Sequence, residues 1–351
     1  MKNLGLKAIG AAMMQALGLH YVLRYINRDK AAVLLYHSVA RDDVEPLPPW
    51  AIRQSEFRWQ MSYLARHHRV LPLPYYVELL LKRQPIPPHS VVITFDDGFR
   101  DNYTVAYPIL KEFGLPATIF LVTGYLDTEQ ALWPDVLFQA IYRTNVQWLD
   151  LRHLGDGTHW LRSLTERQRA FTRLIEYMKT LPVDQKNRWL SEIARRLNVD
   201  LSALSDADAP YAMLRKHEIQ QMAQEGLITF GVHTESHEIL TRFPFERAKQ
   251  EIQISKQKLE ALLGQPARFF AYPNGTEADF NEALKRELRA QGFTCAFASV
   301  GGFVSPQYDR FALQRVGIGP ESSRAYFKMK LAGAMQPWYQ LRRLLRRTWQ
   351  T

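Results

Sequence analysis

The sequence predicts an α/β fold, a distorted (β/α)7 barrel interrupted by a helical insertion. Short apolar runs near 32–38, 91–95, 117–123, 228–232, 269–272, 294–299 and 312–318 read as strands. Between them, apolar residues recur at three- and four-residue spacing over Phe57–His68, Asn102–Phe113, Glu246–Leu263 and Ala278–Gln291, which reads as helix. Strands alternating with helices argue a parallel sheet covered by helices, and about seven such units argue a barrel.

Taken in order, the run from Ala32 ends in Tyr36-His37-Ser38, a histidine at a strand end. The run Val91-Val92-Ile93-Thr94-Phe95 delivers Asp96 and Asp97 onto Gly98. Gly114-Leu115-Pro116 and Gly292 stop helices ahead of strands. Between Gly124 and Arg215 the alternation breaks into helical patterns near 134–144, 164–180 and 184–197, too long a stretch for a loop. An insertion placed there leaves and rejoins the barrel at its catalytic face, where it could form a lid or substrate wall. Trp133, Trp148, Trp160 and Trp189 within it are candidates for stacking on sugar rings or for packing its own core.

Chemistry concentrates at two strand ends. Side chains alternate along a strand, so Asp96 and Asp97 share a direction only if the chain turns there, which Gly98 permits. Two neighbouring carboxylates repel when both are ionised and call for a cation or a shared proton. Far downstream, Leu227-Ile228-Thr229-Phe230-Gly231-Val232 runs into His233-Thr234-Glu235-Ser236-His237. On a helical turn, imidazoles four apart share a face and suit a divalent ion such as zinc. One carboxylate added to two histidines gives a three-ligand set with an open position, the arrangement of a catalytic site.

Thr94-Phe95-Asp96-Asp97-Gly98 followed by His233-Thr234-Glu235-Ser236-His237 resembles the paired signature of the polysaccharide deacetylase family, also called NodB-homology or carbohydrate esterase family 4. The resemblance spans roughly residues 31 to 320. It implies that Asp96 is the catalytic base and that Asp97, His233 and His237 hold a divalent metal, zinc first, with iron, cobalt and nickel open. The family's Arg-x-Pro-Tyr-Gly motif corresponds to Ala271-Tyr272-Pro273-Asn274-Gly275, which lacks the arginine that orients the base. The backbone N–H of Asn274 can still meet the oxyanion, and Arg315, in Leu313-Gln314-Arg315-Val316, is the candidate replacement for the orienting cation. The family's terminal histidine motif is absent, since no histidine follows His237. His37 takes its place if the last strand has moved to the front, as in the permuted deacetylases acting on poly-N-acetylglucosamine. The implied activity is metal-assisted removal of N-acetyl groups from an amino-sugar glycan or lipid-linked saccharide, with His37 as general acid. A deformylase or amidase acting on a lipid-linked sugar and a non-catalytic carbohydrate- or membrane-binding scaffold are the alternatives.

Hydrophobic residues make up 46% of the chain, which is ordinary for a globular core. The lone Cys295 lies in an apolar run and reads as a buried small hydrophobe. The net charge of +10 with a pI near 9.6 first suggests nucleic acid, but much of the excess sits after Glu321, where Arg324, Lys328, Lys330, Arg342, Arg343, Arg346 and Arg347 accumulate. Trp338, Leu341, Leu345 and Trp349 recur at helical spacing, so residues 323–351 read as a basic amphipathic helix suited to an anionic membrane surface, and no nucleic-acid partner is expected. Residues 1–30 read as an amphipathic segment whose uncharged run is too short to span a bilayer and lacks a cleavage site. The domains expected are therefore 1–30, a barrel over 31–322 with its insertion at about 125–215, and 323–351. The expected location is cytoplasmic with peripheral contact at the inner membrane; signal-anchored export stays open.

Overall fold

The computed structural model describes residues 18–200, 211–304, 308–320 and 323–336. The strands are β1 (Ala32–Tyr36), β2 (Ser38–Ala40), β3 (Ala51–Arg53), β4 (Arg69–Val70), β5 (Ser90–Phe95), β6 (Ala117–Leu121), β7 (Trp148–Asp150), β8 (Thr158–Trp160), β9 (Ile228–Val232), β10 (Phe269–Ala271), β11 (Cys295–Phe297) and β12 (Val316–Gly317). The main sheet runs β11-β10-β9-β6-β5-β1-β12, with β4 beside β5, and its pairs are parallel. β1, β5, β6, β10 and β11 are buried along their whole length, as strands covered on both faces must be.

The helices are α1 (Leu19–Ile26), α2 (Gln54–His67), α3 (Leu73–Leu81), α4 (Tyr107–Phe113), α5 (Trp133–Arg143), α6 (Leu164–Met178), α7 (Val183–Arg196), α8 (Lys216–Gln224), α9 (Phe245–Leu263), α10 (Glu282–Ala290) and α11 (Arg324–Leu331). Alternation along the strands sorts the core. Leu34, Tyr36, Ile93, Phe95 and Ile119 pack outward against Phe57 and Met61 of α2, Leu110 of α4 and Ile252 of α9. Val33, Val92, Phe120, Phe297 and Leu313 form the opposite cluster, with Tyr76 and Leu80 of α3 against them.

The two ends of the sheet meet in one segment. Leu313 N–H donates to Ala296 O at 2.9 Å while Ala298 N–H donates to Leu313 O at 2.9 Å, joining that residue to β11. Three positions later Val316 and Gly317 pair with Leu34 and Leu35 of β1. The strand expected over 312–318 is therefore split, its first part serving β11 and its second β1. β1 lies between β5 and β12, so the strand that carries His37 sits beside both the Asp-Asp strand and the last strand.

Some sequence-based boundaries are corrected. The helix expected from Ala278 begins at Glu282, because Asp279 is occupied accepting from Thr276 N–H at 2.8 Å and Asn281 caps the helix through Leu284 N–H. α3 and α8 escaped the periodicity argument: α3 is apolar nearly all round, and α8 is only 9 residues long. A single π-helical turn over Asn102–Ala106 opens the helical stretch that continues as α4.

The insertion has a core of its own, in which Leu137, Phe138, Phe171, Leu174, Trp189 and Ile193 are buried together. It is clipped to the Asp-Asp loop on its return, where Arg100 N–H donates to Ala212 O at 2.7 Å and Leu214 N–H to Gly98 O at 2.9 Å. Trp189 is core, Trp148 and Trp160 face each other across the β7–β8 hairpin half exposed, and Trp133 reaches the central cavity described below.

Of the expected terminal segments, α1 and α11 are described. α11 docks on the barrel through Phe327, its Met329 packs with Leu23 of α1, and Lys330 Nζ donates to Gly317 O at 2.7 Å. Residues 337–351, including Trp338, Leu341, Leu345 and Trp349, lie outside the described residues, as do residues 1–17. Among the described residues, no helix is long and apolar enough to cross a membrane.

Gly231 lies mid-strand in β9, where a Cβ would stand 2.5 Å from the Phe120 ring and 3.0 Å from Phe269 O. Overpacking of this kind costs about 1–3 kcal/mol. Gly231→Ala should therefore lower the denaturant midpoint by that equivalent; an unchanged midpoint would show that the Phe120 ring is free to move aside.

Candidate active site and metal centre

The period of two that builds the core also points the chemistry inward. Val33-Leu35-His37, Val92-Thr94-Asp96 and Leu313-Arg315 each continue one face of a strand, so a histidine, a carboxylate and a guanidinium arrive at the same barrel mouth. Asp96 and Arg315 are 2% and 0% exposed. Arg315 Nη1 donates to Asp96 Oδ1 and Nη2 to Oδ2, each at 2.6 Å, while Nε donates to Ala298 O at 3.2 Å. Burial alone would raise the Asp96 pKa, but the guanidinium beside it, aided by His233, holds the carboxyl below its usual range.

Alternation would send Asp97 to the outer face. Its left-handed backbone, φ 75°, followed by Gly98 at φ 82°, swings the side chain back. Glycine suits position 98, because its φ is left-handed and a Cβ would stand 2.7 Å from Leu121 Cδ2. The second motif converges differently from the helical turn expected of it. His233–His237 form an irregular loop after β9, with Thr234 and His237 at φ 68° and 60°. Side chains fasten that loop: Ser236 N–H and Oγ both donate to Glu251 Oε2 at 2.9 Å, His237 N–H donates to Thr234 Oγ1 at 3.1 Å, and Thr123 Oγ1 donates to Glu235 at 2.7 Å.

His233 Nδ1 donates to Ala271 O at 2.8 Å, which leaves Nε2 as the lone-pair nitrogen turned to the site. Nε2 of His233 and of His237 lie 3.3 and 3.0 Å from Asp97 Oδ1. Neither approach has hydrogen-bond geometry, so Asp97 Oδ1 is buried without a partner. The three groups offer ligand atoms within 4.8 Å of one another. A buried carboxylate oxygen without a hydrogen-bond partner of its own, facing two imidazole nitrogens at 3.3 and 3.0 Å, is a donor set that a divalent cation would complete. When protonated, the two imidazoles would offset the cost of burial and hold Asp97 well below the ordinary carboxylate range.

Asn274 follows Pro273 with φ 58°, a conformation held by its own Nδ2 donating to Asp279 Oδ2 at 2.6 Å. Gly275 beside it has no room for a Cβ, which would stand 2.7 Å from Ser299 N. His37 is half-buried, and burial lowers its pKa against the opposing pull of Asp97 and Asp96. Its carbonyl accepts from Asn102 Nδ2 at 2.8 Å, and Ser38 Oγ donates to Asp101.

These residues line one cavity of about 430 Å³, in which His37, Asp96, Asp97, His233, His237 and Asn274 form one wall. Arg315 stands behind Asp96. The other wall comes from the insertion and its neighbours, chiefly Trp50, Trp133, Asp135, Phe171 and Lys179. Asp101, Asn102 and Asp135 were not singled out by the sequence. For the first two the only signal is their place just after Gly98; Asp135, following Trp133-Pro134, reads as an ordinary first-turn helix carboxylate.

A parallel barrel whose strand ends gather a forked carboxylate, three groups that could hold a metal and a histidine into one cavity is built as an enzyme. The chain belongs to the polysaccharide deacetylase family, enzymes that remove acetyl groups from carbohydrate: the family's model matches residues 83–173 and 183–296. The match contains Asp96, Asp97, His233, His237 and Asn274, whereas His37 and Arg315 lie on either side of it. YxkH of Bacillus subtilis is 23% identical over 299 residues, 85% of this chain and 75% of that protein. A Staphylococcus aureus poly-β-1,6-N-acetyl-D-glucosamine N-deacetylase is 25% identical over 183 residues, 51% of this chain and 59% of that enzyme. In fold the chain is similar to the deacetylase PplD of Streptococcus pyogenes, with a TM-score of 0.57 at 18% identity over 87% of this chain and 99% of that one. It is likewise similar to IcaB of Ammonifex degensii, with a TM-score of 0.54 at 20% identity over 89% and 97%.

Burial lifts the Asp101 carboxyl to about 7 against the hydrogen bonds from Ser38, the Val39 amide and Asn102. In the unfolded chain the same group titrates near about 4, so between these values the native state holds a proton that the unfolded state has released. Its contribution to stability is complete below pH of about 4 and is lost as pH rises through about 7. Asp101→Asn should remove that slope. Urea midpoints of both proteins at pH 5 and pH 8 test this, and a difference between them that does not change with pH would refute it.

Proposed function

We propose that this protein hydrolyses the acetamide of an N-acetylated amino sugar, carried in a glycan or a lipid-linked saccharide, using a divalent ion, zinc first among the candidates. The observation that carries the reading is the Asp96 carboxylate held ionised by Arg315 immediately beside the Asp97, His233 and His237 set, with His233 Nε2 3.9 Å from Asp96 Oδ2. The likeness to enzymes named for poly-β-1,6-N-acetyl-D-glucosamine supports an N-acetylated amino sugar as the substrate class.

Asp97, His233 and His237 would hold the divalent ion, which when bound would supply Lewis-acid activation of water and of the substrate carbonyl. Asp96 takes the proton of the attacking water, since its oxygens keep lone pairs beyond those engaged by Arg315. Arg315 fixes the orientation of that carboxylate and keeps it a base at neutral pH. The backbone N–H of Asn274 serves the oxyanion. His37 gives the leaving amine its proton, and its lowered pKa makes the charged ring a stronger acid.

The protein should be purified, its metal measured, and acetate release followed on N-acetylated sugars and lipid-linked glycans, with formate release on formylated sugars as the control for a deformylase. His233→Ala and His237→Ala should each empty the site. Asp96→Asn should keep the metal and lose about 10² to 10⁴ in rate, the usual worth of general-base catalysis. Full metal occupancy in either histidine variant, or less than a tenfold loss in Asp96→Asn, overturns the assignment.

Peripheral contact with the cytoplasmic side of the inner membrane is part of the proposal. It is motivated by α1, where Tyr21, Val22, Tyr25 and Ile26 are 68%, 58%, 65% and 64% exposed beside Arg24 and Arg28. Such a face suits an anionic bilayer and would favour a lipid-linked substrate. Flotation with phosphatidylglycerol vesicles should carry the protein upward, and Val22→Asp with Ile26→Asp should abolish this; equal flotation of both proteins would rule α1 out.

A further inference from the structure

The insertion wall of the cavity carries polar groups that the fold leaves unsatisfied. Asp135, in the first turn of α5, is 1% exposed, and both of its carboxyl oxygens are buried without a hydrogen-bond partner. The indole Nε1 of Trp133 and of Trp50 are buried and unpartnered in the same way, and all three residues line the cavity. Their neighbours Leu132, Phe138 and Phe171 are apolar and buried. A leucine would suit such surroundings better than an acid, because a buried carboxyl with no partner costs free energy that nothing in this wall offsets. Asp135 makes no side-chain cap for α5, whose first turn has none. Burial, reinforced by Asp97 and Asp101, holds it protonated far above the ordinary carboxylate range. It is therefore a neutral group with one donor and free acceptor capacity, and it shares the cavity with two unpartnered N–H donors.

That set matches a pyranose ring, whose hydroxyls each donate and accept, and whose apolar faces suit the aromatic residues lining the same cavity. We propose that Asp135 is a specificity-determining residue that hydrogen-bonds a hydroxyl of the substrate's amino sugar, with the Trp50 and Trp133 indoles donating to neighbouring oxygens. The inference rests on the deacetylase reading above and divides the cavity in two: the barrel mouth acts on the acetyl group, and the insertion recognises the sugar. Asp135 touches no reacting atom in this scheme.

The test compares wild type, Asp135→Asn and Asp135→Leu on an N-acetylglucosamine oligosaccharide and on 4-nitrophenyl acetate, which presents an acetyl carbonyl without a sugar. Asp135→Asn keeps a donor and an acceptor and should stay within about threefold of wild type on both. Asp135→Leu should raise KM for the oligosaccharide about tenfold, the worth of one lost hydrogen bond, with little change in kcat. It should hydrolyse 4-nitrophenyl acetate as wild type does and melt no lower, since it removes an unpaired buried acid. Calorimetric titration of the oligosaccharide into Asp96→Asn protein, with and without Asp135→Leu, should show the same tenfold weakening without turnover. An unchanged oligosaccharide KM, an equal loss on both substrates, or a lowered melting temperature in Asp135→Leu overturns the assignment and leaves the deacetylase reading standing. Asp135-dependent binding without acetate release supports the sugar site and sinks the deacetylase reading. Wild type that neither binds nor hydrolyses the oligosaccharide counts against both.

Discussion

The forked pair between Arg315 and Asp96 is the interaction on which the rest depends. Taking two charges out of water is expensive, and only good geometry with further hydrogen bonds offsets it. Here both guanidinium nitrogens face both carboxylate oxygens, and Nε is spent on Ala298 O. Arg315 also belongs to the segment that joins β11 to β1, so its side chain is held where the barrel closes. Site and closure therefore share one piece of chain: loosening the seam would strand a buried carboxylate, and removing the arginine would leave a charge at the seam without its partner.

Around that pair the backbone carries several unfavourable conformations. Asp97, Thr234, His237 and Asn274 all have positive φ although none is glycine, and each such residue costs on the order of 1–3 kcal/mol. What retains them is local: Glu251 grips Ser236, Asp279 grips Asn274 and Thr276, and Gly98 and Gly275 supply the space that their neighbours need. The loop that carries His233 and His237 is thus pre-bent by side chains outside the candidate metal set, in keeping with the general dependence of metal sites on their supporting shell.

Much of this was legible in the chain itself. Apolar runs ending in His37, Asp96 and His233 revealed strand ends, and strand alternation then determined which residues face inward. The missing motif arginine called for another cation, and Arg315 was a candidate by its place in the strand-like Leu313-Gln314-Arg315-Val316. Less visible was anything decided by backbone bends: the His233–His237 spacing suits a helix, yet the loop that brings these rings together is built from left-handed residues that no periodicity announces. Asp135 was hidden for a related reason, since an acid in the first turn of a helix is ordinary and only tertiary burial makes this one unusual. α3 was missed because a helix apolar on every side has no stripe.

The position of β1 between β5 and β12 bears on how the chain matures. Synthesis from the N-terminus releases β1 early, but one of its edges stays bare until residues 316–317 appear, nearly the whole chain later. An apolar strand with an unpaired edge is open to mispairing with another chain, and long-range parallel pairings form slowly. The insertion, with a core of its own, meets no such delay. Its return strap at Ala212 and Leu214 can grip the Asp-Asp loop before the seam exists. In this topology the pairing of the histidine-bearing strand is the one that waits for residues 316–317.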